Sequence, residues 1–169
     1  MEIRVGEFCR LFHVPAREVR YVLERGFVPA GTAEAPSTGN HRRFGPGQAF
    51  WLAMLIKLKQ SGVKVPFAAL IADYAVESVR TITRNLNWDW SFQPEKGEFD
   101  TEHRYLVEFA DLTYVRVVTT ANPGVSGLYP FDWHRIQGPR TPVKDVAPII
   151  VLQIDMTEIA RALKEASSI

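Results

Sequence analysis

Val5, Phe8, Cys9 and Phe12 recur at i, i+3, i+4 and i+7, the spacing that lines apolar side chains along one stripe of a helix. His13-Val14 breaks that pattern. Pro15 then opens a second, shorter helix where a missing amide costs nothing, because first-turn N–H groups have no intrahelical partner. At about 100° per residue, Ala16, Val19, Val22 and Leu23 fall on one arc of this helix, and Arg17, Arg20, Tyr21 and Glu24 on the opposite one. One face packs and the other reaches outward. Gly26 ends the helix. Val28-Pro29 starts an extended arm and Arg42-Arg43-Phe44 its return, around a tip of Gly31 and the small and polar run Thr32 to Asn40. That is the pattern of a wing.

The run Pro46 to Gln60 predicts a third helix that is apolar almost all round through Phe50-Trp51-Leu52-Ala53-Met54-Leu55-Ile56, so it is buried on more than one side. Ala49, Leu52, Leu55 and Lys59 continue the face that packs on the first helices. Trp51, Met54 and Leu58 form a second stripe that needs its own partner, either the C-terminal part of the chain or a second subunit. A fourth helix is expected from Pro66 to about Arg84, with Leu70, Ile71, Tyr74, Val79 and Ile82 inward.

After Asn85 the texture changes. Asn87 to Pro94 is aromatic and turn-prone, and Glu95 to Asp100 is a charged connector. Tyr105 to Phe109 and Tyr114 to Thr120 are rich in β-branched and aromatic residues around Ala110-Asp111, which predicts a hairpin. Asn122-Pro123-Gly124 adds turn chemistry. Ile149 to Ile154 is a candidate buried strand, and Asp155 followed by Glu158 is a capping-box-like start for a last helix through Ala166.

A short helix with a basic outer arc, entered through a Pro-led turn, is what a helix-turn-helix unit uses as its recognition element in a DNA major groove. The order of the pieces extends this reading. The helix Val5 to Phe12, the run Val19-Arg20-Tyr21 with Glu24, Gly26 and Pro29 behind it, the Gly39 to Phe44 return strand, and a helix ending Leu58-Lys59-Gln60-Ser61-Gly62 together resemble the N-terminal domain of the MerR family of transcription regulators. The resemblance covers Met1 to about Arg84. Val22 stands where the family usually has a second aromatic, the wing tip is longer, and the family's long dimerising coiled-coil helix does not follow the fourth helix. The resemblance implies a mainly α, winged helix-turn-helix domain over residues 1–84; residues 85–169, which resemble no family, read from their own pattern as a small α+β module for dimerisation or sensing. Arg17 and Arg20 are then expected at the groove and its phosphates, Tyr21 at a phosphate through its hydroxyl, and Arg42 and Arg43 on the flanking backbone, with Asn40 and His41 beside them. A salt bridge from Arg20 to Glu24, four residues on, is the competing role for that arginine.

The overall charge of +1 conceals a segregation: residues 1–84 carry +5 and residues 85–169 carry −4. Positive potential thus coincides with the recognition helix, which favours one docking face for phosphates. The apolar share of 46% suffices for a globular core. No run approaches the ~18 uninterrupted apolar residues of a membrane span, and the N-terminus lacks a secretion signal, so a cytoplasmic protein is expected.

The single cysteine rules out an internal disulfide framework and a cysteine-rich zinc site. Cys9, His13, His41, His103 and His134 are the nucleophile and base candidates, but Cys9 lies on an apolar stripe and no Gly-rich nucleophile turn or His-x-x-x-His pair accompanies them. Glu98, Asp100 and Glu102 alternate as exposed residues do, and His134 beside Asp132 and Trp133 fits a core or interface better than a pocket. The sequence therefore predicts no enzyme, no cofactor and no metal. It predicts a homodimer on double-stranded DNA, with room for a small-molecule or protein effector at the C-terminal module. Phage excisionases and terminase small subunits carry similar winged domains without the coiled coil, and an interaction module on a helix-turn-helix scaffold that does not bind DNA is a further alternative.

Overall fold

A computed structural model describes residues 2–32, 42–85, 104–110, 114–119, 129–130 and 151–167. These divide into two compact units, one gathering the described residues up to Ala72 and those from Ile159 onward, the other those from Asp73 to Glu158.

In the first unit, β1 (Ile3–Arg4) leads directly into α1 (Val5–Leu11), followed by α2 (Ala16–Glu24), β2 (Arg43–Phe44), α3 (Pro46–Gln60) and the start of α4 (Val65–Asn85). The first three helices end alike. The residue after each C-cap, His13, Gly26 or Gly62, takes a positive φ of 53°, 83° or 93°. The next amide then reaches back to a carbonyl five residues earlier, from Val14 to Cys9, Phe27 to Val22 and Val63 to Leu58, at 3.0, 3.2 and 3.1 Å. This closure satisfies carbonyls that would otherwise be orphaned and turns the chain sharply. Glycine suits the left-handed conformation at two of the three ends; histidine accepts it at the third.

The aromatic core joins the elements. Phe8 is fully buried, with Phe12 at 4.8 Å and Phe44 at 6.1 Å between ring centres. The expected wing pairing is corrected. Arg43–Phe44 pairs antiparallel with Ile3–Arg4, in the register Ile3↔Phe44, and not with Val28–Pro29. Two observations explain this. Ile3 and Phe44 are both buried, while the chain after Val28 turns at once, with the Thr32 amide and hydroxyl both donating to the Pro29 carbonyl at 3.2 and 2.7 Å. Gln48 ties the start of α3 to this turn: its Oε1 accepts from the Gly45 amide and its Nε2 donates to the Ala30 carbonyl.

Along α3, Ala49, Phe50, Leu52 to Ile56 and Leu58 are buried and Trp51 is half-buried. Met54 and Leu58 are therefore covered within one copy of the chain, so of the two partners expected for the Trp51-Met54-Leu58 stripe a second subunit is not needed to bury them. In α4, Ala68, Ile71, Ala72, Tyr74 and Ala75 are buried and Leu70 is half-buried; the side chains of Val79 and Ile82 lie outside the described residues.

The second unit contains an antiparallel sheet of four strands in the order β5-β4-β3-β6, where β3 is Tyr105–Ala110, β4 Tyr114–Thr119, β5 Tyr129–Pro130 and β6 Val151–Asp155. Val107 and Phe109 point to the buried face. On the opposite face the buried Glu108 accepts hydrogen bonds from Arg116 on β4 and from Gln153 on β6, its register partners on either side. β6 is only half-covered, Val151 being 45% exposed, so this strand is not the buried one expected from its apolar run. Asp155 caps the last helix, α5 (Met156–Ser167), its Oδ1 accepting from the Thr157 amide at 3.0 Å. Asn122-Pro123-Gly124 lies outside the described residues.

Candidate nucleic-acid interface

Nine residues of α2 divide as their spacing requires. Val19, Val22 and Leu23 are buried; Arg17, Arg20, Tyr21 and Glu24 are exposed. Ala16, expected inward, is exposed, because it is the first residue of the helix and lies at the edge of the packed face.

The exposed arc does not stand alone. Tyr21, 41% exposed, has the Arg25 guanidinium 4.7 Å and the Lys59 ammonium 5.7 Å from its ring centre, distances at which the ring quadrupole attracts a cation. Lys59 also pairs with Glu18 at 3.3 Å, across from α3 to α2. Around this cluster α2 and the α3–α4 turn enclose an open groove of about 770 Å³. Arg17, Arg25, Lys59 and Lys64 bring four positive charges to it, Glu18 one negative charge, and Phe27, Val63 and Pro66 an apolar floor. Because Lys59 engages Glu18, the groove keeps a clear positive excess, the field that draws a polyanion.

Of the residues singled out in the sequence, Arg17 and Tyr21 line this groove, and Arg20 is exposed on the same helix. Arg43 is exposed on β2 and pairs with Glu2 at 2.9 Å. Arg42 is half-buried; its Nη1 is shut off from solvent without a hydrogen-bond partner among the described residues. Asn40 and His41 lie outside the described residues, as do His103, His134, Asp132, Trp133, Glu98, Asp100 and Glu102. Arg25, Lys59 and Lys64 were missed. Arg25 was legible, being four residues after Tyr21 on the same face. Lys59 and Lys64 come from the far side of a fold that joins segments some forty residues apart, as the Lys59–Glu18 pair does.

Cys9 is half-buried, and burial pushes its thiol above its usual pKa, partly opposed by the positive charge of Arg20. A thiol held protonated is a poor nucleophile. Among the described residues no group of three or more His, Cys, Asp or Glu side chains is placed to hold a metal ion, and no helix is long and apolar enough to cross a membrane.

Residues 3–74 match the family model described as MerR HTH family regulatory protein. The N-terminal part of this chain is a MerR-type helix-turn-helix domain. The match spans β1 through the first half of α4, and so includes every residue that lines the groove. No curated protein matches the chain. Within the matched segment α1 and α2 are the two consecutive short helices, and α2 carries the basic outer arc.

Proposed function

We propose that this protein binds double-stranded DNA sequence-specifically, as a transcription regulator acting as a dimer. The observation that carries this reading is the positively charged groove formed by the outer arc of α2 and the α3–α4 turn. Arg17, near the N-terminal end of α2, is the residue for base edges; an arginine fork matches guanine in the major groove. Arg20 and the Tyr21 hydroxyl take phosphates beside it, while Arg43 and Arg42, with Asn40 and His41, extend the contact onto the flanking backbone. Residues 1–84 form the DNA-binding domain in this reading. The acidic half from residue 85 supplies dimerisation or effector sensing, since Met54 and Leu58 are already covered and a two-fold reader must hold two recognition helices about 34 Å apart.

Selection of bound duplexes from a random pool by the full chain tests the proposal. Enrichment of a common sequence with two-fold symmetry is expected. Retention without enrichment of any sequence would contradict specific readout, and no retention at low salt would contradict DNA binding altogether.

A further inference from the structure

Arg25 closes α2 as its C-cap residue and lies one turn beyond Tyr21 on the exposed side. Its guanidinium carbon sits 4.7 Å from the Tyr21 ring centre. Stacking of this kind restrains a long side chain without cancelling its charge, so less rotamer freedom remains to be lost on binding an anion. The neighbouring Lys59 is differently engaged, being held by Glu18. Arg25 has no ion pair among the described residues, and its side chain lines the groove together with Arg17 and Lys64.

The position matters as well as the charge. A helix C-terminus carries the negative end of the backbone dipole and repels a phosphate brought close to it. At the C-terminus of α2 that repulsion is offset only by the cations around it, and Arg25 is the one borne by the cap itself. We propose that Arg25 is a DNA phosphate-binding residue, preorganised by the Tyr21 ring, which lets the C-terminal end of the recognition helix approach the sugar-phosphate backbone. The apolar floor of Phe27, Val63 and Pro66 faces the sugar edge between phosphates. This assignment rests on the reading of the groove as the DNA interface.

The test is the salt dependence of binding by the full chain to a duplex recovered in the selection. Arg25→Gln is expected to weaken binding roughly tenfold at fixed salt, a loss of about 1.4 kcal/mol. It also lowers the slope of log K against log salt by about 0.9 per bound copy. The ranking of DNA sequences stays unchanged, because a phosphate contact carries no base information. Arg25→Lys retains the slope. Tyr21→Phe, which keeps the ring, leaves the effect of Arg25→Gln at full size, whereas Tyr21→Leu reduces it. An unchanged slope in Arg25→Gln, with the unmodified chain binding in a salt-dependent way, would overturn the assignment alone. Absence of salt-dependent binding by the unmodified chain would overturn the DNA reading, and this assignment with it.

Discussion

Lys59 in the last turn of α3 reaches Glu18 in the first turn of α2, Nζ to Oε2 at 3.3 Å, with only 26% and 23% of the two side chains exposed. The pair ties α2 to α3, and it places a carboxylate on the wall of the groove proposed to take DNA. These two consequences have opposite signs. Glu18→Gln is expected to destabilise the fold by about 0.5–1 kcal/mol, the upper range for an incompletely buried pair, while tightening DNA binding several-fold at low salt as Lys59 is released. Urea unfolding and DNA titration on the same protein check this. A variant that loses affinity in proportion to stability would show the pair to be scaffold alone.

Glu2 offers the exposed counterpart. It holds Arg43 at 2.9 Å, with more than half of each side chain exposed, so Glu2→Gln should leave stability within about 0.5 kcal/mol. DNA affinity should rise about two- to fivefold at low ionic strength and return to the unmodified value as salt screens the charge. Equal affinity at every salt concentration would remove Arg43 from the interface.

The helices were legible because their signals are local. Val5, Phe8, Cys9 and Phe12 mark one face within eight residues, Gly26 and Gly62 mark helix ends, and Pro46 occupies the first position of α3, where a proline is tolerated. The hairpin of β3 and β4 was legible for the same reason: its partners are close in sequence. Pairings between distant segments were not. Nothing in Arg43-Phe44 names Ile3-Arg4 as its partner; the burial of Ile3 and Phe44 and the turn after Val28 decide it. Arg17 and Tyr21 could be assigned to the outer face from their spacing, but the groove they line exists only because Lys59 and Lys64 arrive from the α3–α4 turn. Val151 shows the converse error, an apolar residue in an apolar run that nonetheless remains 45% exposed on β6.

His13 carries the backbone strain of the helix-turn-helix turn, with φ at 53° where the other two helices use glycine. His13→Gly is expected to stabilise the protein by about 0.5–1 kcal/mol, relief of the left-handed penalty outweighing the added freedom of the unfolded chain. Thermal unfolding of the two forms measures it. Destabilisation would mean that the imidazole makes a contact worth more than the strain.

Cys9 should react slowly. Burial raises its pKa, so at a pH near 8 less of it is thiolate than in an unfolded chain, and alkylation of the native protein should be slower than in denaturant. The opposing charge of Arg20 gives the sign of a second effect: Arg20→Gln raises the pKa further and slows alkylation again. Faster alkylation in that variant would place the guanidinium as a shield over the thiol instead.

If α2 and the α3–α4 turn together form the DNA-binding face, backbone amide resonances of the full chain followed during titration with a selected duplex report it residue by residue. The largest shifts are expected at Arg17 to Arg25 and at Lys59 to Pro66, with smaller ones at Arg42 and Arg43, all diminishing as salt is raised. Shifts confined to β3, β4, β6 and α5, with α2 unmoved, would contradict it.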